Sequence, residues 1–330
     1  MKLALAPFVL ALTALPAQQP FRISDYLPND YRCMMRVDLK AMRDQGIWDD
    51  FESGAMKMMI GSLEREAGFP LASLDRVMQI ATFAPDAAPR QDPDRLVTLE
   101  GNAPLERRND PNYTSEKIGG HDVLVHAQSQ WLCFQPRPEV RIEGARVLLE
   151  PVLAGKPNAG APCADILSLQ STRKHNLIEF AFDLTVPMLR EESLGKLFAG
   201  VEWPDGQAPR FLYGCVHALG EADDPHFGVQ IVVRHLTAGD GLAATEKALD
   251  GLLAKVAAEP KLRMVHDLLA GLERSRDHGD LILKVDLGRT RDAAGKLAMA
   301  MMAMTTTRTE EVKVMVAPPP PAPPDPAKKQ

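Results

Sequence analysis

Cysteine is scarce in this chain of 330 residues: there are only four, Cys33, Cys133, Cys163 and Cys215. They permit two disulfides at most, in three pairings that spacing alone cannot choose among. Cys33 and Cys215 sit in apolar, strand-like stretches where a thiol packs as a small hydrophobe. If one bridge forms, the expected pair is Cys133 with Cys163, which lies in the loop-like "KPNAGAPCAD". A concentrated run of Lys and Arg is also missing. With a net charge of -6 and a pI near 5.8, the chain lacks the basic face that a polyanion needs, which excludes nucleic acid as a partner. After Leu15 no apolar stretch is long enough to cross a bilayer as a helix, so no transmembrane segment is expected in the mature chain. Nucleophile signatures are absent too. There is no G-x-S-x-G elbow, no S-x-x-K beside its partner motifs, no Cys in a protease context and no H-E-x-x-H. These absences lean against an enzyme, and no cofactor is expected.

What is present begins with "MKLALAPFVLALTALPAQQPF". A Lys, an apolar stretch from Leu3 to Leu15 and small residues around Ala17 form the layout of a secretory signal peptide over residues 1–17. The expected location is therefore exported, periplasmic or extracellular. The rest has globular composition, 45% hydrophobic and 25% charged. At the far end, residues 306–330 carry "VAPPPPAPPDPAKKQ", whose prolines remove backbone donors and favour an extended, disordered tail.

Between these ends the pattern alternates between strand and helix periods, and the fold class expected is α+β. Residues 18–174 read as a first module, with a strand at "YRCMMRVDL", helical spacing through Gly68 and then a meander. "YTSEKIGGHDVLVH" within it is a hairpin folded at Gly119 and Gly120. Residues 175–305 read as a second module: "NLIEFAFDL" strand, "VPMLREESLGKLFAG" helix, "RFLYGCVHALG" and "FGVQIVVRHL" strands, a helix from Gly241, a further helical segment "PKLRMVHDLLAGLERSRD", and the strand "DLILKVDL". That β-α-β-β-α-β order is the ferredoxin-like one. Two related antiparallel-sheet modules with helices on one face, an internal duplication, are the architecture it predicts.

An Asp-Leu pair recurs at strand ends, in "RVDLKAMR", "AFDLTVPMLR" and "KVDLGRTR". An Asp there can accept from the first unpaired N–H groups of a following helix and complement its dipole. Asp38, Asp183 and Asp286 are thus expected to be structural helix caps rather than a catalytic constellation.

Other patterns offer weaker chemistry. "GDGLAA" from Gly239 fits a relaxed dinucleotide fingerprint, but Asp240 puts negative charge where phosphate would sit, and a turn with a cap explains it better. His217, His226 and His235 flank or lie in one predicted hairpin and are the candidate zinc ligands. Methionine is abundant, with 15 residues. The cluster "MAMMAM" places Met299 and Met302 on one helical face, a candidate for soft Cu(I), although Met also serves as adaptable core filler. Asn112-Tyr113-Thr114 matches a glycosylation sequon.

The lead-in "YLPNDYRCMMRVDL", the strand in "SLDRVMQIATF" and the repeated strand-Asp-Leu-helix units resemble uncharacterised exported bacterial proteins of planctomycete-like type. That resemblance implies no reaction and no site residues. The function expected is therefore an exported non-enzymatic protein acting through contacts with an envelope or secreted protein. The alternative is a periplasmic metal (Cu or Zn) or small-ligand binder.

Overall fold

The computed structural model describes residues 23–28, 31–49, 61, 64, 70–83, 93–105, 111–156, 176–187, 189–190, 201–219 and 226–289. Among the described residues twelve strands lie in one sheet: β1 (Cys33–Asp38), β2 (Leu74–Thr82), β3 (Asp94–Gly101), β4 (Tyr113–Ile118), β5 (His121–His126), β6 (Trp131–Arg137), β7 (Val140–Ala145), β8 (Asn176–Asp183), β9 (Phe211–Leu219), β10 (His226–Arg234), β11 (Glu273–Asp277) and β12 (Asp280–Arg289). The described helices are α1 (Leu39–Asp44), α2 (Arg146–Leu153), α3 (Asp240–Ala258) and α4 (Arg263–Leu269). Every strand pairing among the described residues is antiparallel. The chain is thus an α+β protein on a largely antiparallel sheet.

The spatial order is β11-β12-β10-β9-β8-β1-β2-β3-β7-β6-β5-β4. Counted outward from the β1·β8 seam, one side runs β1, β2, β3, β7, β6 and the other runs β8, β9, β10, β12, β11. The outer hairpins also correspond: β6–β7 closes at Arg137↔Val140 and β11–β12 at Asp277↔Asp280. Strands β4 and β5 extend one side alone, and α3 and α4 take the matching place in the chain on the other.

Alternation along the strands supplies a core on each face. On one face, Met34, Ile80, Leu96, Ile142, Phe134, Tyr213 and Val232 join Leu149 and Leu153 of α2. On the other, Leu39 and Met42 of α1 pack with Leu74, Leu177, Phe227 and Val285. Leu242 and Leu249 of α3 cover Val233, Leu281 and Leu283 on that same side. The hairpin between β4 and β5 turns through Gly119 and Gly120, both at positive φ (58° and 87°), the conformation glycine adopts without strain. A Cβ on Gly119 would also strike the Leu153 carbonyl oxygen, 1.9 Å away.

Four expectations differ from this architecture. Helices on one face are the expectation, but α2 covers one face of the sheet and α1 and α3 the other. A ferredoxin-like unit would set its last strand beside its first, whereas β8, β9, β10 and β12 pair in chain order and the second neighbour of β8 is β1. The two modules are likewise not separate sheets. The boundary at 174/175 falls between α2 and β8, and β1·β8 pairing carries a single sheet across it. Finally, "ERSRD" does not continue the helix before it. Its five exposed residues form β11, an edge strand hydrogen-bonded to β12. The signal-peptide region, the helix over "VPMLREESLGKLFAG" apart from its first residues, and the Pro-rich tail lie outside the described residues.

Candidate functional site

In "NLIEFAFD" a Glu stands at a position whose neighbours on the same face are Ala181 and Asp183, all three buried. Pairing puts Glu179 opposite Arg36 on β1 and opposite Cys215 on β9. Its carboxylate has no exposed surface and forms an ion pair with the Arg36 guanidinium. The Tyr213 hydroxyl donates to Glu179 Oε1 at 3.2 Å, and Asn176 Nδ2 donates both to that oxygen and to Tyr213. Burial first, and then the electrostatic influence of Cys215 and of the Glu179 carboxylate, push the Tyr213 phenol well above its ordinary value.

From Tyr213 the same face of β9 continues to Cys215 and His217, whose Sγ and Nδ1 lie 3.9 Å apart. Gln230, also buried, pairs with Cys215 from β10. His217 pairs with Gly228, and His226, two residues from Gly228 on β10, shares that face. His226 Nδ1 meets Asp286 Oδ2 at 3.4 Å. The result is a polar band across β1, β8, β9, β10 and β12. It holds a buried carboxylate neutralised by a guanidinium, a phenol kept protonated, a thiol beside an imidazole, and at its outer end a second imidazole, His226, beside a second carboxylate, Asp286.

His235 is elsewhere. It follows the opposite end of β10, with Nδ1 3.0 Å from the Gln207 carbonyl and Nε2 3.1 Å from Thr245 Oγ1. The three candidate zinc ligands therefore do not converge, because one lies beyond the far end of the strand from the other two. Among the described residues no group of three His, Cys, Asp or Glu side chains is placed to hold a metal ion. Met299 and Met302 lie outside the described residues, as does Cys163. Cys133 is buried on β6 with its Sγ 3.6 Å from Glu143 Oε1. Cys33 is half-buried on β1, and that burial, eased by Arg95, pushes its thiol up to about 11.

The three Asp residues have three different settings. Asp38 is the N-cap of α1 and accepts from Ala41 N at 2.9 Å, while its other oxygen meets Arg76 at 3.3 Å. Asp183 turns the chain after β8, accepting from the Thr185 N–H and hydroxyl and pairing with Arg32 at 2.9 Å. Asp286 is not at a strand end. It lies within β12 beside the bulge at Phe227/Gly228, and its Oδ1 accepts from Gly288 N at 2.7 Å. The Gly239–Ala244 stretch does open α3, but Gln207 Oε1 takes the Gly241 N–H at 2.9 Å. A side chain thus fills the place a phosphate would need.

Two features escaped the sequence. Glu179 was signalled only by a charge inside a strand of otherwise apolar alternation. The other is an open hollow of about 450 Å³, lined by Leu105, Asp122, Leu124, Cys133, Gln135 and Arg137 among others, which forms only once β5 and β6 pair and Leu105 is brought against them. No described helix is long and apolar enough to cross a membrane.

No family model matches the chain, and no curated protein matches it. Among solved structures, crystal form I of TP0453 is similar at a TM-score of 0.42 with 9% identity, covering 84% of this chain and 96% of that one. Crystal form III of TP0453 gives 0.44 and 10%, covering 83% and 96%.

Proposed function

We propose that this chain is an exported, non-enzymatic protein that binds a protein partner of the envelope or the secreted fraction through the α1/α3 face of the sheet. One observation carries the reading. Met35, on a central strand, is 47% exposed, where central strands of a sheet are ordinarily the best covered. Phe180 lies directly across from it, and Phe182, in ring contact with Phe180 at 5.7 Å, is next along β8. Both rings are half-buried, so three apolar side chains meet at the seam on a surface that a partner would cover. The matching strand order on the two sides of the seam supports descent of both halves from one duplicated unit.

The test is a photo-crosslinking residue at Met35 in the full chain, expressed in its own host, with Val147 on α2, 62% exposed, as the control position. The reading expects a discrete heterologous adduct from position 35 that Phe180→Glu abolishes, on a protein whose mature N-terminus begins near Gln18. No adduct, or the same adducts from position 147, would remove it.

A second reading, a small-ligand or metal binder, is favoured by the hollow beside Cys133 and by His217 and His226 on one face. Native mass spectrometry of protein from the host distinguishes it: bound mass that is lost on denaturation supports a ligand, and a bare chain sinks a tightly held one.

A further inference from the structure

We propose that His235 is an acid-sensitive pin that holds the first turns of α3 on the sheet, so that mild acid releases this helix while the strands stay paired. The geometry is a closed relay. Trp203 Nε1 donates to Thr245 Oγ1 at 2.9 Å, and Thr245 lies 3.1 Å from His235 Nε2. His235 Nδ1 lies 3.0 Å from the Gln207 carbonyl oxygen, which can only accept. Nδ1 therefore carries the proton, Nε2 is the acceptor, and the Thr245 hydroxyl donates to it. Gln207 closes the ring by accepting the Gly241 N–H with its side chain. Segment 201–210, the end of β10 and the start of α3 thus meet on one neutral imidazole.

That imidazole is 4% exposed, and Thr245 has no exposed surface. A second proton on His235 would place a charge in this buried setting and turn Nε2 into a donor facing Thr245 Oγ1. That oxygen already receives Trp203, so a second N–H would take its remaining lone pair and the Thr245 O–H would lose Nε2 as its acceptor, with a positive charge left buried beside it. Burial holds the His235 pKa below its ordinary value, against the Gln207 hydrogen bond and the charge of Asp280, which raise it. The charged groups around it are otherwise committed. Asp280 is paired with Arg234 through two contacts at 2.9 Å, and Glu246 of α3 is paired with Arg276 of β11. Asp240 and Lys247 on the first turns of α3, Glu202, Asp205 and Arg210 on segment 201–210, and Asp277 and His278 at the β11–β12 turn also lie on these elements. Among the described residues the ring partners of His235 are the Gln207 carbonyl and the Thr245 hydroxyl, neither of them a carboxylate that could take the new proton.

The sign follows from linkage. The folded pKa is below the released one, so the contact is at full strength above the ordinary histidine value near 6.5. It is lost as pH falls through that value toward the folded one. Release would uncover Leu242 and Leu249 together with Val233, Leu281 and Leu283 beneath them. An exported chain that enters an acidic compartment or medium would thereby gain an apolar surface it lacks at neutral pH.

Hydrogen exchange by mass spectrometry on the full mature chain tests this, at pH 7.5 and 5.5 with intrinsic rates corrected. The expected result is faster exchange in residues 242–256 at the lower pH, by up to about tenfold, the most that one proton linked to opening gives over this range, with β9 and β10 unchanged. His235→Gln should abolish that pH response whatever it does to the baseline. Thr245→Val, a smaller change, should raise exchange in α3 at pH 7.5 while the pH response shrinks. Exchange in α3 that does not respond to pH, protection lost from α3 and the strands together, or a pH response kept in His235→Gln would each overturn the proposal.

Discussion

Arg36 and Glu179 face each other across the seam where the two halves of the sheet join, one chain segment contributing the cation and the other the anion. The equivalent position on the other side of the seam's centre, where Met35 meets Phe180, is Met34 opposite Ala181. The junction therefore holds a single ionic pair between apolar ones, Met35–Phe180 on one side and Val37–Ile178 on the other, so the seam has one register in which the buried Glu179 charge is not left alone.

Removing one partner should be far worse than removing both. Arg36→Met leaves the Glu179 carboxylate buried without its cation and should cost about 3 kcal/mol. The double change Arg36→Met with Glu179→Leu should recover most of that. Urea unfolding of the two single variants and the double one gives the coupling energy directly; additive losses would contradict a coupled pair.

Only one of the recurring Asp residues caps a described helix. Asp38→Ala should cost about 1 kcal/mol, the usual loss for an N-cap. Asp286→Ala, exposed within a strand, should stay within about 0.5 kcal/mol of wild type. Equal losses in chemical denaturation would show that the two positions share a role.

Gly214 is a packing site for a ring. A Cβ there would meet Phe180 Cζ at 2.0 Å, so Gly214→Ala must displace the Phe180 ring, at about 1–3 kcal/mol for overpacking. Adding Phe180→Leu should restore part of the loss, which a thermal or urea melt of the pair would read.

Tyr213 sets an alkaline limit. Its phenol is raised above the ordinary 10.0 by burial, so both states hold the proton below that pH and only the unfolded chain releases it above. Stability should be complete below about pH 10 and fall as pH rises toward the folded value. Absorbance at 295 nm should show Tyr213 ionising only with unfolding, and Tyr213→Phe should remove that component of the pH slope.

The local signals in the sequence carried further than the global ones. Gly119-Gly120 announced a hairpin, Asp38 a cap and the period after Gly239 a helix, because turn conformation, orphan N–H groups and amphipathic spacing are properties of a few neighbouring residues. The order of strands was not legible in that way. β1 and β8 are separated by the whole first half of the chain, and nothing in either segment names the other as its neighbour. "ERSRD" misled for a related reason: an edge strand exposed on both faces has no apolar alternation to show, and its charges read as a helix surface. His217 and His226 were rightly placed on one hairpin, but the end of β10 at which His235 falls depended on a register fixed only by pairing. Asp286 fell within a strand rather than at its end because β12 continues past it to Arg289.

The guarded edge at β11 also bears on how copies of this chain could meet. Arg274 and Arg276 lie on that strand and are drawn back onto Asp250 and Glu246 of α3, which leaves a rim of charge where another strand would have to dock. Among the described residues, the edge left for growth of the sheet by strand addition is then β4. Two chains joined through their β4 edges would consume both, so such an assembly would stop at a pair and could not run on into a fibre.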